Sequence, residues 1–325
     1  MRQFATYEEE NIHYWTNRAS GYSTVNQEEL TSDQKSVWRS VISSQIFARF
    51  PNRRPEEIKV LDVGTGPGFF AIILAELGYQ VTAVDYTASM LHEAQRNAGV
   101  LADKIRFQQM NAEELSFQTS TFDVLVTRNV TWNLRNPEKA YGHWMRVLKP
   151  GGVILNFDAN WYGYLYEEEQ RKAYENDRKN VENNSLDDHY LCTDIERMER
   201  IALQVPLSKI RRPEWDVKTL REAGLLGIHT DTEIWKTVWS EEERLNYQST
   251  PMFMVTGVKP DHFLNLPVVE GEKTEGFLEI GDGEFTLPAT IIRGKNPGKT
   301  VLVTAGLHAG EYVGIQTLIE LSKKL

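Results

Sequence analysis

The stretch that most constrains this chain is VLDVGTGPGFF, residues 60–70. An apolar strand pattern runs into three glycines at alternate positions, Gly64, Gly66 and Gly68. These open the apolar segment GFFAIILAELG, which has helical composition and is closed by Gly78. Glycine lets the backbone turn sharply and approach a ligand closely, and the helix start that follows offers unpaired N–H groups. Taken alone, the loop fits either a structural turn or a ligand cradle. Its spacing is G-x-G-x-G, one residue shorter than the dinucleotide fingerprint G-x-G-x-x-G. An acid, Asp62, also lies inside the preceding strand.

Around the loop, short apolar runs alternate with helical stretches. IKVLDVG, YQVTAVD, KIRFQQMN, FDVLVTRN and GVILNFDAN read as strands; SMLHEAQRNAG and the region of PEKAYGHWMRVL read as helices. This rhythm predicts a mainly parallel sheet covered on both faces. Residues 1–55 read as polar helices with spaced aromatics, ended by the turn PNRRP. After the fifth strand, residues 163–189 are charged and helical in composition, either a solvated helix or a lid over the active edge of the sheet. The insertion as a whole spans about 163–212. Two later strands, IHTDTEIW and MFMVTGVK, suggest an antiparallel edge.

Several positions then fall into one pattern. Asp85 ends the second strand nineteen residues after Gly66, where a carboxylate can accept two hydroxyl hydrogen bonds. Asn111, Ala112 and Glu113 follow the third strand, Arg128 and Asn129 end the fourth, and RVLKPGGVIL turns into the fifth. Together with VLDVGTGPGFF, these motifs resemble those of class I S-adenosylmethionine-dependent methyltransferases over residues 10–258. The resemblance implies an α/β, Rossmann-like seven-stranded sheet with a helical N-terminal segment and a lid insertion. It also implies S-adenosylmethionine as cofactor, held by Asp62, Gly64, Thr65, Gly66, Gly68, Asp85, Tyr86, Met90, Asn111, Ala112, Glu113, Arg128 and Asn129. In that family the loop packs on the methionine and ribose portions, Asp85 takes the ribose, and residues 111–113 face the adenine. The leading segment YWTNRASGYS would place Tyr22 and Arg18 over the cofactor carboxylate.

Methyl transfer from an activated sulfonium needs mainly alignment, so catalytic side chains leave little trace. The family's Asn/Asp-Pro-Pro-aromatic signature for amino methylation is absent: the chain has RNVTWNL there. The single cysteine, Cys192, rules out multi-cysteine chemistry and an internal disulfide. A net charge of −10 argues against a nucleic-acid or anionic-membrane partner. The expected acceptor is a small molecule or peptide. Tyr14 and Trp15, Trp132, and Trp161, Tyr162 and Tyr164 cluster where it would lie, either as lid packing or as an aromatic-walled pocket. Asn129, Asn160 and His189 are the candidates for orienting or deprotonating it. A cofactor-binding sensor without activity, and a nicotinamide oxidoreductase opposed by the glycine spacing, are the rival classes. The N-terminus lacks signal-peptide regions and no apolar run approaches membrane-spanning length, so a cytoplasmic protein is the default.

Residues 259–270, KPDHFLNLPVVE, read as a linker, and 271–325 as a second unit of short strands with Gly and Pro turns. Its TAGLHAGEYVGIQTLIEL places His308 and Glu311 at a strand–helix junction. The pattern resembles the first metal motif of succinylglutamate desuccinylase/aspartoacylase zinc deacylases, with Ala309 where Gly is commoner. The resemblance implies an incomplete α/β unit and an incomplete zinc site, since that family's third ligand and catalytic Glu lie further downstream. A fragment of a longer methyltransferase–deacylase fusion, or a remnant kept for packing on the methyltransferase domain or on a second copy of the chain, are the expectations.

Overall fold

The computed structural model describes residues 4–190, 193–263, 265–280, 285–294, 316–317, 319–321 and 323. The chain divides into two compact units, Met1–Lys259 and Pro260–Leu325.

The first unit opens with two helices, α1 (Tyr7–Thr31) and α2 (Asp33–Arg49). Thr6 caps α1 by accepting the Glu9 N–H, and Ser32 caps α2 through the Gln34 N–H. In α2 the buried residues Trp38, Ile42 and Ile46 recur every four positions, the stripe that a helix presents to a core. The alternating portion follows as β1 (Lys59–Val63), α3 (Phe69–Glu76), β2 (Gln80–Asp85), α4 (Ala88–Ala98), β3 (Ile105–Gln109), β4 (Phe122–Arg128), α5 (Pro137–Val147) and β5 (Leu148–Asp158). Six of the seven residues of β4 are buried, as expected of a central strand covered on both faces. After β5 come α6 (Glu168–Asn183), α7 (Ile195–Ala202), α8 (Glu214–Glu222), β6 (Leu226–Asp231), α9 (Trp235–Val238), α10 (Glu241–Asn246) and β7 (Phe253–Val258).

The seven strands form one sheet in the order β3-β2-β1-β4-β5-β7-β6. β1 pairs in parallel with β2 and β4, and β4 with β5. β7 runs antiparallel to both β5 and β6. β6 and β7 thus form the antiparallel edge that the sequence suggested, with β7, the later strand, lying inside β6. The residues after β6 also turn helical, at α9, where a continuous strand was expected. α6 buries only Asp177 and Val181, which accounts for its charged composition.

In the second unit, β8 (Asp261–Phe263) and β9 (Leu266–Val268) form a short antiparallel pair inside the stretch read as a linker. Its two prolines hid it: Pro267 stands opposite His262 in a two-stranded ladder, where a missing N–H is tolerated. A longer hairpin follows, β10 (Lys273–Ile280) with β11 (Phe285–Ile292).

Candidate active site

The C-terminal ends of β1, β2 and β4 open into one crevice, at the point where the strand order reverses between β1 and β4. In an open α/β sheet this is where ligands bind. The loop from Gly64 to Gly68 leaves β1, Asp85 ends β2 and Arg128 ends β4. Gly64 has φ 68°, and a Cβ there would stand 2.3 Å from Val130 Cγ2, so only glycine fits. Gly66 has φ 53°, and a Cβ on it would lie 3.6 Å from Cε1 of Tyr22. Tyr22 of α1 thus lies across the loop.

Two acids hold the loop in shape. Asp62 Oδ2 accepts the Thr65 hydroxyl at 2.7 Å, and burial pushes its carboxyl up to about 7. Asp85 Oδ2 accepts the Gly66 N–H at 2.9 Å and Oδ1 accepts the Thr87 N–H at 2.8 Å. Burial raises this carboxyl too, opposed by those N–H bonds.

A cavity of about 290 Å³ runs from this loop to a cluster of aromatic rings. Arg18, Tyr22, Asp62, Gly64, Thr65, Gly66, Asp85, Tyr86, Met90, Asn111, Ala112, Glu113, Arg128 and Asn129 line one part of it. Gly68 is not among the lining residues; it caps α3 and packs against Ala94. Tyr14, Trp15, Trp132, Trp161, Tyr162 and His189 line the other part. Tyr190, Met198 and Tyr247 also line it. Sequence reasoning missed these three because no local pattern marks them as facing a cavity. The charged helix α6 contributes no lining residue, so the inserted segment reaches the cavity only through residues between 189 and 198.

One expectation needs correction. Asn160 was a candidate for orienting an acceptor, but it does not line the cavity. Its Nδ2 donates to the Arg212 carbonyl at 3.0 Å and its Oδ1 accepts the Arg212 N–H at 3.1 Å, so both ends of the amide serve the backbone. Glu113, expected to face an adenine, does line the cavity, and its carboxylate accepts the N–H groups of Arg135 and Asn136 at 2.7 and 2.9 Å and the Asn136 side chain at 2.9 Å, fixing the turn into α5. Arg128, expected beside a methionine group, lines the cavity while forming a two-pronged pair with Glu29 of α1, both contacts at 2.8 Å, and sits 4.3 Å above the Phe69 ring. Its guanidinium is held charged by Glu29 against the cost of burial.

Other polar groups remain available for a ligand. Asn129, at φ 57°, has a buried Oδ1 with no hydrogen-bond partner among the described residues. Such an acceptor on a cavity wall calls for a donor from the ligand. Asp85 takes the Gly66 N–H on one oxygen and the Thr87 N–H on the other at the edge of the cavity, where a carboxylate can also accept a hydroxyl. Asn111 Oδ1 accepts the Glu113 N–H at 2.9 Å, which fixes the amide beside the cavity. A ligand carrying an ammonium at one end and a diol further along fits this donor and acceptor set.

His308 and Glu311 lie outside the described residues. Among the described residues, no group of three His, Cys, Asp or Glu is placed to hold a metal ion. None of the described helices is long and apolar enough to cross a membrane.

Comparison with known proteins bears on the first half of the cavity. Residues 61–156 match the family model described as "Methyltransferase domain". The chain is 35% identical over 124 residues to a demethylmenaquinone methyltransferase of Deinococcus radiodurans, covering 37% of this chain and 49% of that one. It is 31% identical over 159 residues to a ubiquinone/menaquinone biosynthesis C-methyltransferase of Vibrio vulnificus, covering 42% and 60%. The chain thus spans about half the length of the curated relatives it matches. A solved phosphoethanolamine N-methyltransferase 2 of Haemonchus contortus, in complex with S-adenosyl-L-methionine, aligns with a TM-score of 0.46 at 15% identity, over 73% of this chain and 60% of that one. The fold assignment rests on the strand order of this chain itself. With the glycine loop on β1 and Asp85 on β2, the seven-stranded sheet has the Rossmann-like methyltransferase fold, and residues 61–156 within it match a methyltransferase domain.

Proposed function

We propose that this protein transfers a methyl group from S-adenosylmethionine to a small, ring-bearing acceptor. The observation that carries the reading is the single cavity that joins the glycine loop and Asp85 to the aromatic cluster. Asp85 would take the ribose diol, Asn129 Oδ1 the cofactor's ammonium, and Tyr22 would cover the loop. When bound, the cofactor supplies an electrophilic methyl group, and the chain's task is to position the acceptor and exclude water. The acceptor half is built from Tyr14, Trp15, Trp132, Trp161, Tyr162 and Tyr247. Trp132 and Tyr162 stand 4.9 Å apart by ring centroids. Flat π faces of this kind favour a ring, or a cationic amine, over an aliphatic chain. The relatives' names point to ring C-methylation, which the aromatic walls accommodate as well as O- or N-methylation.

Every acceptor-side ring except Trp132 lies outside the matched segment 61–156, so the acceptor belongs to this chain's own N-terminal helix and later segments. The test is transfer of labelled methyl from S-adenosylmethionine to a panel of phenols, quinols and amines. Cofactor binding with no transfer to any member would instead favour a binding-only protein. For the tail, we propose that 271–325 is related to zinc deacylases, supported by the sequence around His308 and Glu311 alone. With two ligands of that family's set, the purified chain should hold no zinc after dialysis; one zinc per chain, lost in His308→Ala, would show a complete site instead.

A further inference from the structure

Where the aromatic half of the cavity ends, three side chains form a hydrogen-bonded row. Tyr247 Oη lies 3.0 Å from His189 Nδ1, and His189 Nε2 lies 3.3 Å from Glu242 Oε1. Tyr247 and His189 both line the cavity. Beside them stands Trp161, its ring edge-on to that of Tyr247 with centroids 5.2 Å apart. The buried Trp161 Nε1 has no hydrogen-bond partner among the described residues, which is costly unless a ligand oxygen supplies one.

The row is held by a dedicated clamp. Asn246, 1% exposed, accepts the His189 N–H on Oδ1 at 3.1 Å and donates Nδ2 to the Asp187 carbonyl at 3.1 Å. Arg178 donates to the same Oδ1 at 3.2 Å and to the Asn246 carbonyl, and pairs with Asp188 at 2.7 Å. The end of α10 is thereby locked to the segment carrying His189. The histidine is fixed through its main chain as well as its ring, an arrangement suited to proton transfer.

We propose that Tyr247, His189 and Glu242 form a proton relay that takes the proton from a hydroxyl on an aromatic acceptor, with Trp161 Nε1 donating to an oxygen of the same ring. The inference rests on the methyltransferase reading above and names its acceptor class, a phenol or quinol. In the step, the acceptor hydroxyl proton passes to Tyr247 Oη as the Tyr247 proton passes to His189 Nδ1. The electron pair of the broken O–H bond stays on the acceptor. That oxygen would then take the methyl group that the cofactor supplies, the sulfonium leaving as a neutral thioether. The proton rests on the imidazole, whose opposite N–H faces the Glu242 carboxylate. Asn246 is a positioning residue.

The test uses the whole chain saturated with S-adenosylhomocysteine and 4-nitrophenol as a chromophoric phenol, at a pH below the phenol's own ionisation. The expected result is a bound phenolate absorbance above that of buffer. It should be lost in Tyr247→Phe and His189→Gln while S-adenosylhomocysteine affinity stays the same, and 4-nitroanisole, which has no proton to give, should bind all three proteins alike. A phenol that binds without ionising, fails to bind, or ionises equally in both variants overturns the relay. Failure of S-adenosylhomocysteine to bind the unaltered chain would instead overturn the methyltransferase reading, so the two failures are distinct.

Discussion

The carboxylate of Asp85 accepts the backbone N–H of Gly66 at 2.9 Å, tying the end of β2 to the turn after β1. Its other oxygen accepts the Thr87 N–H that leads into α4. The residue therefore shapes the loop before any ligand arrives, and a ribose would use only its remaining lone pairs. Asp85→Ala removes both functions. It leaves two N–H groups short of partners, costing roughly 1–3 kcal/mol each where buried. S-adenosylhomocysteine affinity should fall at least tenfold by calorimetry, and the urea midpoint should fall with it. Unchanged affinity would remove Asp85 from the cofactor site. An affinity loss without a change in stability would mean the loop holds itself.

Asp62 gives a prediction in pH. Its folded-state carboxyl is raised, chiefly by burial, from 3.8 to about 7. Between those values the folded chain holds a proton that the unfolded chain has released. The stability attached to this group is thus full below about 4 and is lost as pH rises through about 7, at up to about 1.4 kcal/mol per pH unit. Asp62→Asn keeps an acceptor for the Thr65 hydroxyl and cannot ionise. The difference in unfolding free energy, Asn variant minus parent, should therefore grow in favour of the variant from pH 4 to pH 7 and level off above. A difference that stays flat across that window would show that Asp62 ionises normally in the fold.

The pair between Glu29 and Arg128 joins residues 99 positions apart, and both side chains are about nine-tenths buried. Removing one partner strands the other charge in the core, a loss of about 3–5 kcal/mol. Glu29→Ala should therefore destabilise strongly. The combined Glu29→Gln, Arg128→Met variant should recover most of the loss, because Phe69 and Phe70 can pack on the methionine. Chemical denaturation of the two variants checks this. Equal losses would mean that Arg128 is held mainly by the rings beneath it.

These examples separate what the sequence discloses from what it withholds. The glycine loop, Asp62 and Asp85 were legible because their roles are local: each acts within a few residues of a strand end, where spacing alone places it. The sheet followed from the β-α rhythm, although the insertion of β7 between β5 and β6 did not, since pairing partners are set by the whole sheet. Glu29, Asn246 and Tyr247 left no signal, because a glutamate on a polar helix looks the same whether it meets water or a buried arginine. Asn160 misled for the converse reason. An exposed-looking amide near the end of β5 turned out to be occupied by Arg212, 52 positions away.

The last prediction follows from where the cavity ends. Its lining runs from Tyr7 to Tyr247, and all of it lies within the compact unit Met1–Lys259. The seven strands of that sheet all end before the boundary: β7 ends at Val258 and pairs along β5 and β6. Lys259 then fastens the corner, its N–H donating to the Gly152 carbonyl at 2.9 Å and its carbonyl accepting the Gly151 N–H at 2.8 Å. Its ammonium adds a bond to the Leu148 carbonyl at 2.7 Å. A chain ended after residue 259 keeps every one of these contacts, whereas one ended at residue 250 loses β7 and with it the central antiparallel pairing. The first should bind S-adenosylhomocysteine within about twofold of the full chain, since a change of about 0.4 kcal/mol is all that twofold represents. The second should fail to fold. If ending the chain after residue 259 abolishes binding while circular dichroism shows an intact fold, residues beyond 259 take part in the site, and the division of labour between the two units must be redrawn.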